Sequence, residues 1–208
     1  MGPDVPDGDE LRRLVAVMHA LRQGCPWDMQ QTHASLLHYL VEEAAEVVDA
    51  VETGTDDDLC EELGDLLLQI AFHAEIAAER AAFSIDDVAR GISDKLIARH
   101  PHVFAGEDAP DDLNAVWEQR KKAEKNRTSS LDGIPTSLPV LARTNKVLMR
   151  ARSHDVLVDL PTDPIDAAGV GAELLALASR AQASGVDPEQ ALRAALRELE
   201  SSIRAEGR

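Results

Sequence analysis

The stretch from Glu42 to Asp65 combines a dense run of acids with a helical pattern of apolar residues. Eleven of its 24 residues are Asp or Glu, and none is Lys or Arg. A solvated acidic tail would be poor in apolar residues, whereas Val and Leu recur here at helical spacing. Two such helices packed together would repel each other unless a cation lay between them. A hard divalent metal ion, which prefers oxygen ligands, is the simplest candidate.

The acids of this stretch are spaced so that pairs of them share one face of a helix. Glu43 and Glu46 are three residues apart on one predicted helix, and the next repeats the spacing with its own pair, Glu62 and Asp65. Each pair borders an apolar face, so packing those faces together would bring both pairs to one seam. Solvated helix faces are the alternative. The apolar faces comprise Leu36, Leu40, Ala44, Val47 and Val51 on the first helix and Leu59, Leu63, Leu66 and Ile70 on the second.

The composition favours helices and argues against several classes of function. Apolar residues make up 44% of the chain and aromatic residues only 3%, and no alternating β-branched run is present, which predicts an all-α fold. A net charge of −17 argues against nucleic acids or anionic membranes as partners. Cys25 and Cys60 form neither a disulfide framework nor a zinc pattern. With no signal peptide and no apolar stretch long enough to span a bilayer, we expect a cytoplasmic protein.

The order of caps and breakers divides the chain into two helical parts. Residues 1–8 are predicted to be a disordered start, residues 9–125 a helical domain, residues 126–137 a linker and residues 138–208 a C-terminal helical segment. Predicted helices span residues 11–24, 32–52, 56–79, 85–100, 138–152, 166–184 and 188–205, with another beginning at Asp111 or Asp112. The predicted end signals are Gly54 at C′ of the second helix, capping boxes of Thr55 with Asp58 and of Ser84 with Asp87, and an Asp187 cap on the last helix.

A basic set follows the acidic one along the chain. Lys95 and Arg99 are four residues apart on one predicted helix, and Lys121 follows on the next. Such a set suits a polyphosphate, because metal ions would take some of its oxygens and basic side chains the rest. Trp27, on a loop after Pro26, either caps the core or offers a stacking surface near a ligand.

The ordered motifs resemble the MazG family of nucleoside triphosphate pyrophosphohydrolases. The resemblance covers about residues 10–125 well and the remainder weakly. It rests on the motifs Cys25-Pro26-Trp27-Asp28, Gln31-Thr32-His33, Glu42-Glu43-x-x-Glu46, Glu61-Glu62-Leu63-Gly64-Asp65-Leu66-Leu67 and Lys95-Leu96-x-x-Arg99-His100-Pro101-His102-Val103-Phe104, together with Trp117 and Lys121.

The resemblance implies a MazG-like all-α helical bundle that acts as a homodimer. It also implies Mg²⁺-dependent cleavage of NTPs or dNTPs, damaged ones included, to the monophosphate and pyrophosphate, a nucleotide-pool house-cleaning activity. Mn²⁺ would substitute for Mg²⁺. The site residues carried over by position are Glu43, Glu46, Glu62 and Asp65 for the metal and Lys95, Arg99, Trp117 and Lys121 for the nucleotide.

Two questions remain open at the level of sequence. Glu42 or Glu46 could accept the proton of the attacking water, and spacing does not choose between them. The segment 138–208 faintly repeats the first part but lacks a second acidic set, so we interpret it as a degenerate second module without a catalytic role. Of the competing functions, a di-iron bundle would need Glu-x-x-His motifs, which are absent. A non-catalytic nucleotide-sensing or interaction module is the main alternative.

Overall fold

The computed structural model describes residues 9–106, 108, 116, 129–154 and 156–206. Every regular element among them is a helix, which confirms the predicted all-α fold. The chain forms two compact units, residues 1–107 and residues 108–208, and we describe each by itself. In the described ranges, none of the helices has the length and apolar character needed to cross a bilayer.

The first unit is organised around its longest helix. That helix, α3, packs against α2, α1 and α4, and a turn of 3-10 helix lies between α1 and α2. The elements are α1 (Glu10–Gly24), the 3-10 turn (Asp28–Gln30), α2 (Leu37–Thr53), α3 (Asp56–Ala78), α4 (Ile85–Arg99) and α5 (Pro101–Phe104).

The predicted capping boxes are present at the starts of α3 and α4. The Thr55 hydroxyl oxygen accepts from the backbone N–H of Asp58, and the backbone N–H of Thr55 donates to the Asp58 carboxylate; Ser84 and Asp87 repeat the arrangement. Hydrogen bonds from the Thr55 hydroxyl and backbone lower the pKa of Asp58. These local signals therefore fix where both helices begin.

Helix α2 differs from its prediction at both ends. It begins at Leu37 rather than near Thr32, because Thr32 and Ser35 exchange side-chain and backbone hydrogen bonds that hold a turn there. At the other end Gly54 is the C-cap with an extended backbone, φ −89°, rather than the C′ residue that we expected. A Cβ there would lie 2.9 Å from backbone atoms of Ala50, so close approach is what requires glycine.

The apolar residues of α2 form two stripes rather than one packed face. One stripe faces α3 and the core, and it includes Leu36 at the start of the helix and Ala50 near its end, both buried. The prediction that Ala44 and Val51 belong to the packed face was wrong, because both are exposed. They fall instead on a second stripe at helical spacing that the first unit leaves uncovered, made of Leu37, Val41, Ala44, Val48 and Val51.

Helix α3 likewise turns a different side inward from the one expected. Leu63 and Ile70, predicted for the packed face, are exposed, whereas Gln69 and Phe72 are buried. The inward face carries the core of the unit and also the carboxylate pair. The core cluster comprises Met18, Leu36, Ala71 and Phe72, with Leu14, Tyr39, Leu68 and Ile76 packed against it.

The second unit contains the helices α6 (Val140–Arg152), α7 (Ala167–Ala183) and α8 (Pro188–Glu206). Asp187 caps α8 by accepting from the backbone of the second and third residues of that helix, as predicted. Leu131 and Ile134, from the predicted linker, are buried in the core of this unit, so the end of that segment packs as part of the unit. The other core residues are Val140, Val147, Ala151, Leu196 and Ile203.

An enclosed ion pair joins α6 to α8. Arg143 donates from Nε to Oε1 of Glu200 at 2.8 Å, and both side chains are largely shielded from solvent. The same guanidinium donates to the carbonyl of Pro135 at 2.5 Å. Arg143 therefore ties three segments of the second unit together, and Glu200 supplies its counter-charge.

Removing one member of this pair should destabilise the second unit strongly. We expect Glu200→Gln to cost about 3 kcal/mol, because it leaves a shielded guanidinium without its counter-charge. Urea unfolding followed by circular dichroism measures the effect. Glu189→Gln is the matched control, since Glu189 pairs with Arg193 in an exposed i, i+4 contact worth about 0.5 kcal/mol or less. Equal effects of the two substitutions would contradict the role assigned to Arg143.

Candidate metal and substrate site

Three carboxylates converge in the seam between α2 and α3. Glu43 comes from α2, and Glu62 and Asp65 come from successive turns of α3. One oxygen from each lies within 4.8 Å of the others, and all three residues are partly buried. The i, i+3 spacing on α3 aims two acids at the same point, and the packing of α2 along α3 supplies the third.

The fourth predicted ligand and the second predicted base lie beside this group. Glu46 is one turn along α2 from Glu43, and their side chains interact directly. Its charge also acts on Glu62 across the seam. Both Glu42 and Glu46 are exposed, but Glu42 acts on Glu43 only through its charge. The structure thus brings Glu43, Glu62 and Asp65 together, with Glu46 adjacent and Glu42 further out.

The loop before α2 is fastened to α3 by a residue that the sequence analysis did not identify. Arg22, in the last turn of α1, makes two 2.6 Å hydrogen bonds to Glu79. It also donates to the backbone carbonyls of Asp28 and Gln31. No spacing rule links Arg22 to Glu79, 57 residues away in sequence, so only the tertiary structure reveals this clamp.

Trp27 packs against the core and is also partly exposed to solvent. Its ring makes edge contacts with Tyr39 at 6.1 Å and Phe72 at 6.4 Å between centroids. It is nevertheless 51% exposed. The two interpretations of Trp27 are therefore compatible, since the side that does not cover the core is accessible for stacking.

Comparison with known proteins places the acidic seam inside a recognised domain. Residues 31–104 match the family model described as MazG nucleotide pyrophosphohydrolase domain. This chain belongs to the MazG family. The matched range contains α2, α3 and α4, and hence the three convergent carboxylates and the basic residues of α4. The MazG resemblance read from the motifs is thereby confirmed.

Several relatives of this MazG chain are similar over most of its length. A protein of Streptomyces cacaoi, described as an uncharacterized 26.1 kDa protein in the blaB 3′ region, is 47% identical over 97% of this chain and 84% of its own. Nucleoside triphosphate pyrophosphohydrolases of Mycobacterium tuberculosis and Escherichia coli (strain K12) are 42% and 45% identical over 97% and 68% of this chain. The chain spans only 59% and 57% of the length of those two relatives.

Among the described residues, every charged group that shifts the pKa of Glu43 or Glu62 in the MazG seam is another acid. Partial burial raises the pKa of Glu43, and the charges of Asp65 and Glu46 raise it further. Partial burial also raises the pKa of Glu62, with a further contribution from Glu46. A set of oxygen donors whose charges repel one another fits a hard divalent cation, which would supply the missing positive charge.

The predicted nucleotide-binding residues are only partly described by the structure. Lys95 and Arg99 lie one turn apart on α4, which packs against α3. Lys95 is exposed and Arg99 is buried. Trp117 and Lys121 lie outside the described residues, so their assignment stays a prediction from the motifs.

Replacing Glu43 should stabilise the metal-free protein at neutral pH. Folding raises the pKa of Glu43. Above the ordinary pKa of a glutamate, the folded state therefore binds more protons than the unfolded state. The free energy of unfolding falls as the pH rises through this range. We expect Glu43→Gln to raise the melting temperature by about 1–3 °C at neutral pH, an effect limited by solvent screening. Calorimetry in chelator measures it.

The stabilising effect should disappear as the pH falls towards the ordinary pKa of a glutamate, where wild-type Glu43 takes up its proton. Glu173→Gln, at an exposed position of α7, is the control and should change little at either pH. A Glu43→Gln variant that is less stable than wild type at neutral pH would show that repulsion in the seam is not a cost to folding.

Proposed function

We propose that this chain is a Mg²⁺-dependent nucleoside triphosphate pyrophosphohydrolase. The observation that carries the proposal is the convergence of Glu43, Glu62 and Asp65 within 4.8 Å in the seam of α2 and α3. The names of its MazG relatives support the same reaction. Its role would be house-cleaning of the nucleotide pool in the cytoplasm, with damaged nucleotides among the substrates.

Glu43, Glu62 and Asp65 would hold the metal, with Glu46 as a further ligand or neighbour. When bound, Mg²⁺ or Mn²⁺ lowers the pKa of a coordinated water and neutralises charge on phosphate oxygens. Three carboxylates would leave room around the ion for waters and substrate oxygens, which is the usual way in which proteins bind Mg²⁺.

Glu46 is the residue that we assign to accept the proton of the attacking water. It lies next to Glu43 and acts on Glu62, yet it is not one of the three convergent ligands. Glu42, by contrast, acts on Glu43 only through its charge and does not contribute to the raised pKa of Glu62. The water oxygen forms a bond to the α-phosphorus, the bond from that phosphorus to the bridging oxygen breaks, and the carboxylate takes the proton. The products are a nucleoside monophosphate and pyrophosphate.

Lys95, Arg99 and Lys121 would bind the phosphate oxygens that the metal does not reach, and Trp117 would contact the base. Guanidinium and ammonium groups suit this role because they donate several charge-assisted hydrogen bonds to phosphate. These assignments follow the family motifs. Residues 138–208 would add stability rather than chemistry, as a degenerate second module.

We also propose that the chain is a homodimer assembled through the second stripe of α2, the residues Leu37, Val41, Ala44, Val48 and Val51. Val41 is 70% exposed and Val51 is 66% exposed. A continuous apolar stripe of this kind, left open in the first unit, needs a partner surface. The α2 helix that bears it also carries Glu43, so dimer formation would place the partner close to the site.

The purified protein should release pyrophosphate from NTPs and dNTPs only when Mg²⁺ or Mn²⁺ is present. The hard cation is needed to hold a highly charged substrate beside the carboxylates. Ion-exchange analysis of the products from each nucleotide measures the reaction. Orthophosphate with a diphosphate as products would overturn the reaction assignment, and tight nucleotide binding without turnover would favour a sensing module.

Neutralising each carboxylate of the seam should abolish turnover while leaving the helical content unchanged. We expect Glu43→Gln, Glu62→Gln and Asp65→Asn each to lower kcat at least about 100-fold. Loss of a residue that only orients a metal ligand already costs up to about 100-fold, and these residues are the ligands themselves. Glu46→Gln should act on kcat more than on metal affinity. Glu52→Gln and Asp57→Asn, at exposed positions of the same two helices, are controls. Near-wild-type turnover in two or more of the seam variants would refute this site.

Light scattering at micromolar concentration should give a mass twice that of the 22.5 kDa chain. Val48→Glu should shift this mass towards the monomer, because it places a charge on the apolar stripe of α2. Leu175→Glu, which makes the same change at an exposed position of α7, should not. A wild-type monomer, or equal effects of both substitutions, would contradict the proposed interface.

A further inference from the structure

Polar side chains continue along α3 beyond the carboxylates. Gln69 and His73 follow Asp65 at intervals of four residues, so the three lie on one face on successive turns. Gln69 is 5% exposed, and His73 is partly buried. Buried polar groups are nearly always hydrogen-bonded, so this row beside the core must have partners.

His73 is hydrogen-bonded to His33, which lies in the turn before α2. Their Nδ1 atoms are 2.8 Å apart, and the ring planes differ by 3°. The ring centroids are 5.1 Å apart, which is the nitrogen–nitrogen distance extended by one ring radius at each end. Rings that share a plane and meet nitrogen to nitrogen have this separation. The contact is therefore an in-plane hydrogen bond rather than a face-to-face stack.

The direction of this hydrogen bond follows from Arg80. Its guanidinium lies 3.3 Å from Nε2 of His33. Arginine can only donate, so Nε2 of His33 accepts and carries no proton. Neutral His33 therefore holds its proton on Nδ1 and donates to Nδ1 of His73. His73, whose pKa burial lowers and His33 lowers further, is then neutral with its proton on Nε2.

This assignment leaves a buried donor next to a buried acceptor. Nε2–H of His73 and Oε1 of Gln69 are both enclosed, and neither has a hydrogen-bond partner among the residues that the structure describes. They belong to side chains one turn apart on the same face of α3. No hydrogen bond joins these two described atoms, although each offers what the other lacks, a donor for Oε1 and an acceptor for Nε2–H. With Oε1 turned towards His73, the NH₂ of Gln69 remains a donor for the preceding turn, which carries Asp65.

We propose that Gln69 is a positioning residue for the Asp65 carboxylate. In this proposal a hydrogen bond from His73 orients the Gln69 amide, at the end of the observed contacts from Arg80 to His33 and from His33 to His73. This inference rests on the proposed function, because it takes Asp65 as a metal ligand. A hydrogen bond that orients a ligating carboxylate typically changes metal affinity by about 10–100-fold.

The histidine tautomers test the chain without metal or substrate. Long-range ¹H–¹⁵N correlation spectra of the ¹⁵N-labelled, metal-free protein at neutral pH distinguish protonated from unprotonated ring nitrogens. We expect His33 to be protonated on Nδ1 alone and His73 on Nε2 alone. Gln69→Met should shift the Nε2–H resonance of His73. A neutral His33 protonated on Nε2, or averaged tautomers at both rings, would overturn the proposal in the wild-type protein, independently of any variant.

Mn²⁺ binding tests the effect on the site. Titration of the metal alone, followed by water proton relaxation, should show about tenfold weaker binding to Gln69→Met than to wild type. Gln182→Met, the same change at an exposed position of α7, should bind as wild type does. Unchanged Mn²⁺ affinity in Gln69→Met, even with a lowered melting temperature, would reduce Gln69 to a packing role and overturn the proposal. If wild type itself bound no Mn²⁺, the proposed function would fail while the tautomer result stood.

Discussion

Carboxylates from α2 and α3 are held within 4.8 Å of one another although their charges repel. Apolar packing of α2 along α3 holds them there, since Leu36 and Phe72 anchor the same seam from the core. The raised pKa values of Glu43 and Glu62 show the cost of the arrangement to the metal-free fold. A cation would remove that cost. Metal binding and the stability of the seam are therefore linked, because a bound cation would stabilise the folded protein.

The elements around the seam keep it in place. Capping boxes fix the starts of α3 and α4, and the Arg22 clamp joins the loop before α2 to the far end of α3. The polar row that continues to His73 lies on the same face of α3 as the ligands. One helix, α3, thus carries two of the ligands, part of the core and the polar row.

Local signals in the sequence predicted much of this arrangement, and long-range contacts account for what they missed. The Thr55 and Ser84 caps and the i, i+3 acid pairs depend only on neighbouring residues, so the starts of α3 and α4 and the shared face of Glu62 and Asp65 were predictable. Which apolar stripe of α2 would be covered was not, because that depends on the partner helix; Val51 was assigned to the wrong stripe for this reason. The His33–His73 bond joins residues 40 apart, and no periodicity indicates it.

The most direct test asks which of the 38 acidic residues bind the metal. Substoichiometric Mn²⁺ broadens NMR signals of nuclei close to it, and backbone amide spectra report this residue by residue. We expect broadening first on the turns of α2 and α3 that carry Glu43, Glu62 and Asp65, with the acidic start of α8 unaffected. Broadening spread evenly over the acidic surface, or centred away from that seam, would contradict the claim that these carboxylates form a metal site.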